Sequence, residues 1–161
     1  MPPVLLPPAL TALPAFTVRD PGYEARTRES FERQGAMRTL GARLVGLQPG
    51  FCAIEITPGP ALSQQHGYVH AGVIAAIVDS AGGYAGFTLF PSDASVLTVE
   101  FKLNLLAPAE GERVVAEGQV LKSGRTLTIT RGEVYAERGG KRTLCALMQQ
   151  TLIAMHGKSD A

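Results

Sequence analysis

The chain has 161 residues, 45% of them hydrophobic, which is enough for one domain with a sizeable core. Its 15 Lys and Arg residues nearly balance its 14 Asp and Glu residues, and the basic residues are scattered along the chain. This pattern shows no electrostatic footprint for nucleic acid or an anionic membrane surface. We therefore expect one globular domain, with no nucleic-acid or membrane partner.

The N-terminal segment is rich in proline, with five in its first fourteen residues. Because proline blocks helix interiors and central strands, we expect a Pro-rich arm over residues 1–18 and a single domain over 19–161. No basic region precedes the apolar run, so a signal peptide is not expected and the predicted location is cytoplasmic.

The next segments predict a short helix followed by a hairpin. Residues 22–35, "GYEARTRESFERQG", are typical of a polar helix that ends at Gly35. Two apolar runs, 37–50 and 51–59, flank the turn signal Gln-Pro-Gly and predict paired strands. Cys52 and Cys145 lie in apolar runs without metal-ligand spacing, which predicts reduced thiols in the core.

Residues 70–87, "HAGVIAAIVDSAGGYAGF", predict a long buried helix with one formal charge, Asp79. Four glycines and the acid argue against a membrane span. On a helical wheel Asp79 shares a stripe with small residues only, which we expect to face a partner or a pocket. The stripe consists of Gly72, Ala75, Ala76, Gly82, Gly83 and Gly86.

Beyond this helix the pattern changes to strands. Apolar and polar residues alternate over 97–105, which predicts a half-buried strand, and 113–122, 125–136 and 143–155 predict three more. The connecting turns are short, so the strands are expected to be antiparallel neighbours. The predicted fold class is α+β: a six-stranded antiparallel sheet with its longest helix packed on one face.

The buried helix carries two candidate chemical features. Asp79 is either a structural acid with a hydrogen-bond partner or a catalytic base or nucleophile. The amides of Ala71 and Gly72 at the positive helix N-terminus are a candidate oxyanion hole. His70 could cap the helix or take part in catalysis, and the residue type alone leaves both roles open.

Distance predicts how these two features combine. Asp79 lies about 12 Å along the helix axis from Ala71, whereas a base and an oxyanion donor must each come within about 3 Å of the reacting atoms. One copy of the helix cannot supply both groups to one carbonyl. Two copies related by a two-fold axis can, so we predict an obligate homodimer with composite sites.

The stretch "GYVHAGVIAAIVDSAGG", with "TVEFKLNLLAPA" and the later "GR", resembles the PaaI-like group of hotdog-fold thioesterases, relatives of the hydroxybenzoyl-CoA thioesterases. The resemblance covers about residues 35–155 and implies an antiparallel sheet wrapped around one long helix. It implies that Asp79 acts as nucleophile or general base, that the Ala71 amide polarises the thioester carbonyl, and that Thr98 orients the carboxylate or its water. His70 matches the motif histidine and Gly72 the glycine two residues after it.

Other positions follow from the same resemblance. Gln64 stands where the family most often has Asn, and Gln65 could serve instead. Ala71 replaces a glycine, which keeps the N–H but adds a methyl group. The resemblance places the pantetheine and phosphates of coenzyme A near one turn, formed by Lys122, Ser123, Gly124 and Arg125.

The predicted function is hydrolysis of an acyl-CoA thioester, with an aryl-acyl or medium-chain acyl group, by a homodimer or a dimer of dimers. No metal or separate cofactor is expected, since coenzyme A is part of the substrate. Two alternatives stay open. One is an enoyl- or hydroxyacyl-thioester hydratase that pairs His66 or His70 with an acid, and the other is a non-catalytic acyl-CoA binding module.

Overall fold

A computed structural model of the protein describes residues 15–158. Residues 1–14, which make up most of the predicted Pro-rich arm, and residues 159–161 lie outside the described residues. The helices are α1 (Tyr23–Arg33), α2 (Gly35–Thr39) and α3 (Ala71–Phe87). The strands are β1 (Arg43–Gln48), β2 (Phe51–Ile56), β3 (Ala94–Leu105), β4 (Arg113–Ser123), β5 (Leu127–Arg138) and β6 (Lys141–His156).

The six strands form one antiparallel sheet in the order β1-β2-β4-β5-β6-β3. Helix α3 packs on one face of this sheet, and the apolar core lies between them. The predicted α+β fold, with six antiparallel strands wrapped around one long helix, is confirmed. Among residues 15–158 there is no helix with the length and hydropathy needed to cross a membrane.

The first helix is shorter than predicted, because Gln34 interrupts it. Gln34 has an extended backbone (φ −70°, ψ 103°), and its N–H donates to the Phe31 carbonyl, which closes α1 at Arg33. Gly35 does not end the first helix but begins α2. This second turn of helix buries Met37 in the core, so the first hairpin strand begins later than predicted, at Arg43.

Arg26 of helix α1 contacts the C-terminal end of α3 and the residues that follow it. Its guanidinium donates to the carbonyls of Phe90 at 2.9 Å, Pro91 at 3.1 Å and Ala94 at 3.2 Å. It also lies 4.2 Å from the centre of the Phe87 ring. These three carbonyls belong to residues that follow α3, and the guanidinium also donates to the Phe87 carbonyl at the end of the helix, at 3.4 Å. Arg26 thereby holds α1 beside α3, where α1 forms one wall of a groove between α1, α3 and β3.

The stripe of small residues on α3 is divided between two faces, which corrects the expectation that all of it faces a partner or pocket. A Cβ added to Gly82 would lie 2.8 Å from Thr130 Oγ1, and one added to Gly86 would collide with Leu152. Both glycines therefore permit close packing of the helix on the sheet. A Cβ at Gly83 would meet nothing within 4 Å, so this part of the stripe is open.

Strand β3 forms an edge of the sheet and is interrupted by a β-bulge between Thr98 and Glu100. The bulge adds a residue to β3, so the apolar residues on either side of it point to opposite faces. Leu97 is 56% exposed and Phe101 is 47% exposed. The prediction that 97–105 is a regular half-buried strand was therefore wrong. The bulge reverses the alternation of faces, and an edge strand is covered by a neighbouring strand on one side only.

Candidate active site

Asp79 lines a groove of about 420 Å³ between α1, α3 and β3. We call it the acid groove and define it by Arg33, Gln34, Asp79, Gly83 and Thr98. Ser30 and Tyr84, whose hydroxyl oxygens lie 3.2 Å apart, extend its lining. The groove has both polar and apolar walls, which suits a ligand with both kinds of surface.

The carboxylate of Asp79 is half-buried and hydrogen-bonded, where the sequence suggested full burial. Its Oδ1 accepts from Thr98 Oγ1 at 2.8 Å and from Gln150 Nε2 at 2.5 Å. Both bonds go to the same oxygen, so neither occupies Oδ2. The structure therefore brings Thr98 to Asp79, as the resemblance implied.

Gln150 is a site residue that sequence reasoning missed. Its signal lies in β6, where every second residue from 146 to 154 is buried, and all of them except this one are apolar. Those positions are Ala146, Met148, Gln150, Leu152 and Ala154. A buried polar side chain in such a series needs a partner, and its partner is the acid on the helix.

A second groove of about 390 Å³ lies at the N-terminus of α3. We call it the amide groove and define it by Gln64, Tyr68, Ala71, Ile74 and Leu105. Within residues 15–158 the Ala71 N–H donates no hydrogen bond. This amide is therefore available to an oxygen that gains negative charge.

His70 caps α3, which is one of the two roles left open by the sequence. Its Nδ1 accepts from the Gly72 N–H at 2.9 Å, so that nitrogen carries no proton. The Gly72 amide is occupied by this bond. Of the two candidate oxyanion donors only the Ala71 amide remains free.

Gln64 lines the amide groove, and its side-chain oxygen accepts from the backbone N–H of His66. Its NH₂ group is then the part of the amide that can act in the groove. Cys145 also lines this groove but is almost completely buried, and burial raises the pKa of its thiol. Cys145 and Cys52 are both buried and free, which confirms the predicted core thiols.

The two grooves are separate within one chain. The acid groove contains no residue of the amide groove. Along the 17-residue helix α3, Asp79 lies eight residues after Ala71. One chain therefore does not bring the carboxylate and the free amide to the same point.

The turn 122–125 lies at the opposite end of the sheet from the amide groove. It joins β4 to β5 near the C-terminus of α3, where Thr128 Cγ2 is 3.6 Å from a Cβ built on Gly86. Lys122 and Arg125 are exposed and line neither groove. Within one chain the structure does not bring this turn to Asp79 or to Ala71.

Several solved structures with this architecture are named thioesterases. Residues 66–143 match the thioesterase superfamily. A thioesterase family protein from Silicibacter pomeroyi is 48% identical, with 84% of this chain and all of that chain covered and a TM-score of 0.83. A protein from Saccharolobus solfataricus that is named as an esterase is 30% identical over 103 residues, which is 63% of this chain and 71% of that protein.

The E. coli PaaI protein, from the phenylacetic acid degradation operon, has a TM-score of 0.77 over 89% of this chain and 99% of its own. Its identity of 16% makes this a likeness of fold alone. Fold and relatives together define an enzyme of the hotdog thioesterase class. The chain belongs to the thioesterase superfamily.

Proposed function

We propose that the protein hydrolyses acyl-CoA thioesters, with Asp79 as nucleophile or general base and the Ala71 amide as oxyanion donor. The observation that carries this proposal is the hydrogen bonding of Asp79. Thr98 and Gln150 both donate to Oδ1, which leaves Oδ2 available in the acid groove. A carboxylate positioned in this way can attack a carbonyl carbon or take a proton from water.

In the general-base form of the reaction, Oδ2 accepts a proton as the water oxygen bonds to the carbonyl carbon. The carbonyl oxygen becomes an oxyanion, which the Ala71 N–H stabilises. The C–S bond then breaks, and the departing thiolate takes up a proton to give free coenzyme A and the acid. In the nucleophilic form, Oδ2 bonds to the carbonyl carbon and the C–S bond breaks, which releases the thiolate and leaves an anhydride. Water then hydrolyses the anhydride to the free acid and the Asp79 carboxylate.

We further propose that each site is shared by two subunits that meet along β3. This edge strand has twelve residues and exposes apolar side chains, features that favour pairing with another strand. If a two-fold axis passes at Lys102 and Val99 stays the extra residue of the bulge, Thr98 of one copy lies opposite Leu105 of the other. The acid groove of each copy then meets the amide groove of its neighbour.

The remaining parts of the function stay as predictions. We propose that Lys122 and Arg125, two exposed cations at one turn, contact the phosphates of coenzyme A in the dimer. The acyl group is aryl or medium-chain, and dimers could pair further into tetramers. The cytoplasmic location also rests on the sequence alone.

The test is release of free thiol from a panel of aryl-acyl and medium-chain acyl-CoAs. We expect turnover by the wild type and loss of at least about a hundredfold in kcat for Asp79→Asn, which keeps the shape but not the charge. Asp93→Asn is the matched control, because Asp93 is exposed and lines neither groove. Unchanged turnover in Asp79→Asn would remove Asp79 from the mechanism, and loss of enoyl absorbance without thiol release would point to a hydratase.

A further inference from the structure

Asp79 is connected to the interior of the sheet by a chain of hydrogen bonds. Thr130 on β5 and Gln150 on β6 are fully buried cross-strand neighbours, and Thr130 Oγ1 donates to Gln150 Oε1 at 2.8 Å. From there Gln150 Nε2 reaches Asp79 Oδ1 at 2.5 Å and Thr98 Oγ1 at 3.0 Å. The chain joins α3 to three strands of the sheet.

The ionised acid determines the orientation of the Gln150 amide. A carboxylate can only accept hydrogen bonds, so the NH₂ end of the amide must face Asp79 and the oxygen must face Thr130. The hydroxyl of Thr130 then has to donate. The same NH₂ group also lies 3.1 Å from the main-chain carbonyl of Asp79, so it contacts both the side chain and the backbone of the acid.

Gly82 makes this arrangement sterically possible. A Cβ at Gly82 would collide with Gln150 Oε1 and would lie 2.8 Å from Thr130 Oγ1. A glycine inside a helix costs about 1 kcal/mol relative to alanine, and here it provides the space beneath the helix in which the amide lies. Gly82, three residues after Asp79 on the helix, therefore makes room for the hydrogen bonds of the acid, and not for a ligand.

We propose that Gln150 is a positioning residue for Asp79. By donating to Oδ1 from beneath the helix, it holds the carboxylate in one rotamer and directs Oδ2 into the acid groove, where the substrate carbonyl or its water lies. Gln150 is 1% exposed and lines neither groove, so it acts through Asp79 and not by touching substrate. The inference rests on the proposed thioester hydrolysis.

The experiment compares Gln150→Met with Gln149→Met in full steady-state kinetics. Met has a similar length but no N–H donor, and Gln149 is the exposed neighbour on the same strand. We expect Gln150→Met to lose at least about tenfold in kcat, with KM within about twofold of the wild type, because only the placement of the carboxylate changes. Gln149→Met should match the wild type in both constants.

A folded Gln150→Met protein with wild-type kcat would overturn the proposal, whereas a wild type without thiol release would overturn the proposed function. If Gln150→Met does not fold, Thr130→Val removes the bond that holds the amide oxygen and leaves Gln150 in place. A fall in kcat at constant KM supports the proposal, and no change refutes it. The ¹⁵N chemical shift of the Gln150 side-chain amide tests the contact independently of catalysis. It should change in Asp79→Asn, and an unchanged shift would refute the contact.

Discussion

Two inactive variants of this protein should restore activity when they are combined. The first is Asp79→Asn, which removes the carboxylate from the acid groove. The second is Ala71→Pro, which removes the free amide from the amide groove. Proline suits this position because Ala71 is the first residue of α3, where its N–H donates to no group of residues 15–158, and because His70 before it is extended (ψ 139°).

The expected magnitude follows from the arrangement of the two grooves. In a mixed dimer one site takes Asp79 from the Ala71→Pro chain and the intact Ala71 amide from the Asp79→Asn chain, and the other site has lost both groups. Random assortment makes about half of the dimers mixed, each with one intact site of two, so roughly a quarter of wild-type activity should return. A mixed dimer purified with two different affinity tags should show about half.

The assay is thiol release by the co-expressed pair, measured against each variant alone. Thr98→Ala combined with Asp79→Asn is the control, because Thr98 donates to Asp79 of its own chain at 2.8 Å. Every site that retains Asp79 in this mixture lacks Thr98, so activity should not rise above that of Thr98→Ala. If the Asp79→Asn and Ala71→Pro pair also shows no gain, the two groups do not meet across subunits.

Three further changes test other parts of the structure. Arg26→Met should lower the free energy of unfolding by about 2–4 kcal/mol in denaturant titrations, because it removes the charged donor to the carbonyls of Phe90 and Pro91 after α3, whereas exposed Arg28→Met should cost under about 1 kcal/mol. Phe101→Glu should give a monomer in light scattering, since each new carboxylate would be buried opposite Leu103 of the neighbouring copy; a dimer would contradict pairing along β3. The Cys52 thiol, whose pKa burial raises, should react with thiol reagents only after unfolding.

Local patterns were sufficient to predict the long helix and the strands. The long run of small and apolar residues predicted α3, and the alternation of later segments predicted the strands, because helix and strand periods depend on residues close in sequence. The rise per residue also separated Asp79 from Ala71, since helix geometry does not depend on the rest of the fold. These inferences needed no knowledge of which strands are neighbours.

The tertiary structure decided what local patterns cannot contain. The bulge in β3 depends on its pairing with β6, and so Leu97 and Phe101 face opposite ways despite their regular spacing. The contact between Asp79 and Gln150 joins residues 71 positions apart, and no spacing rule reaches that far. The role of Gly82 also depends on this contact between distant residues. Within the stripe of small residues, Gly82 leaves room for the Gln150 amide, which we propose orients the acid.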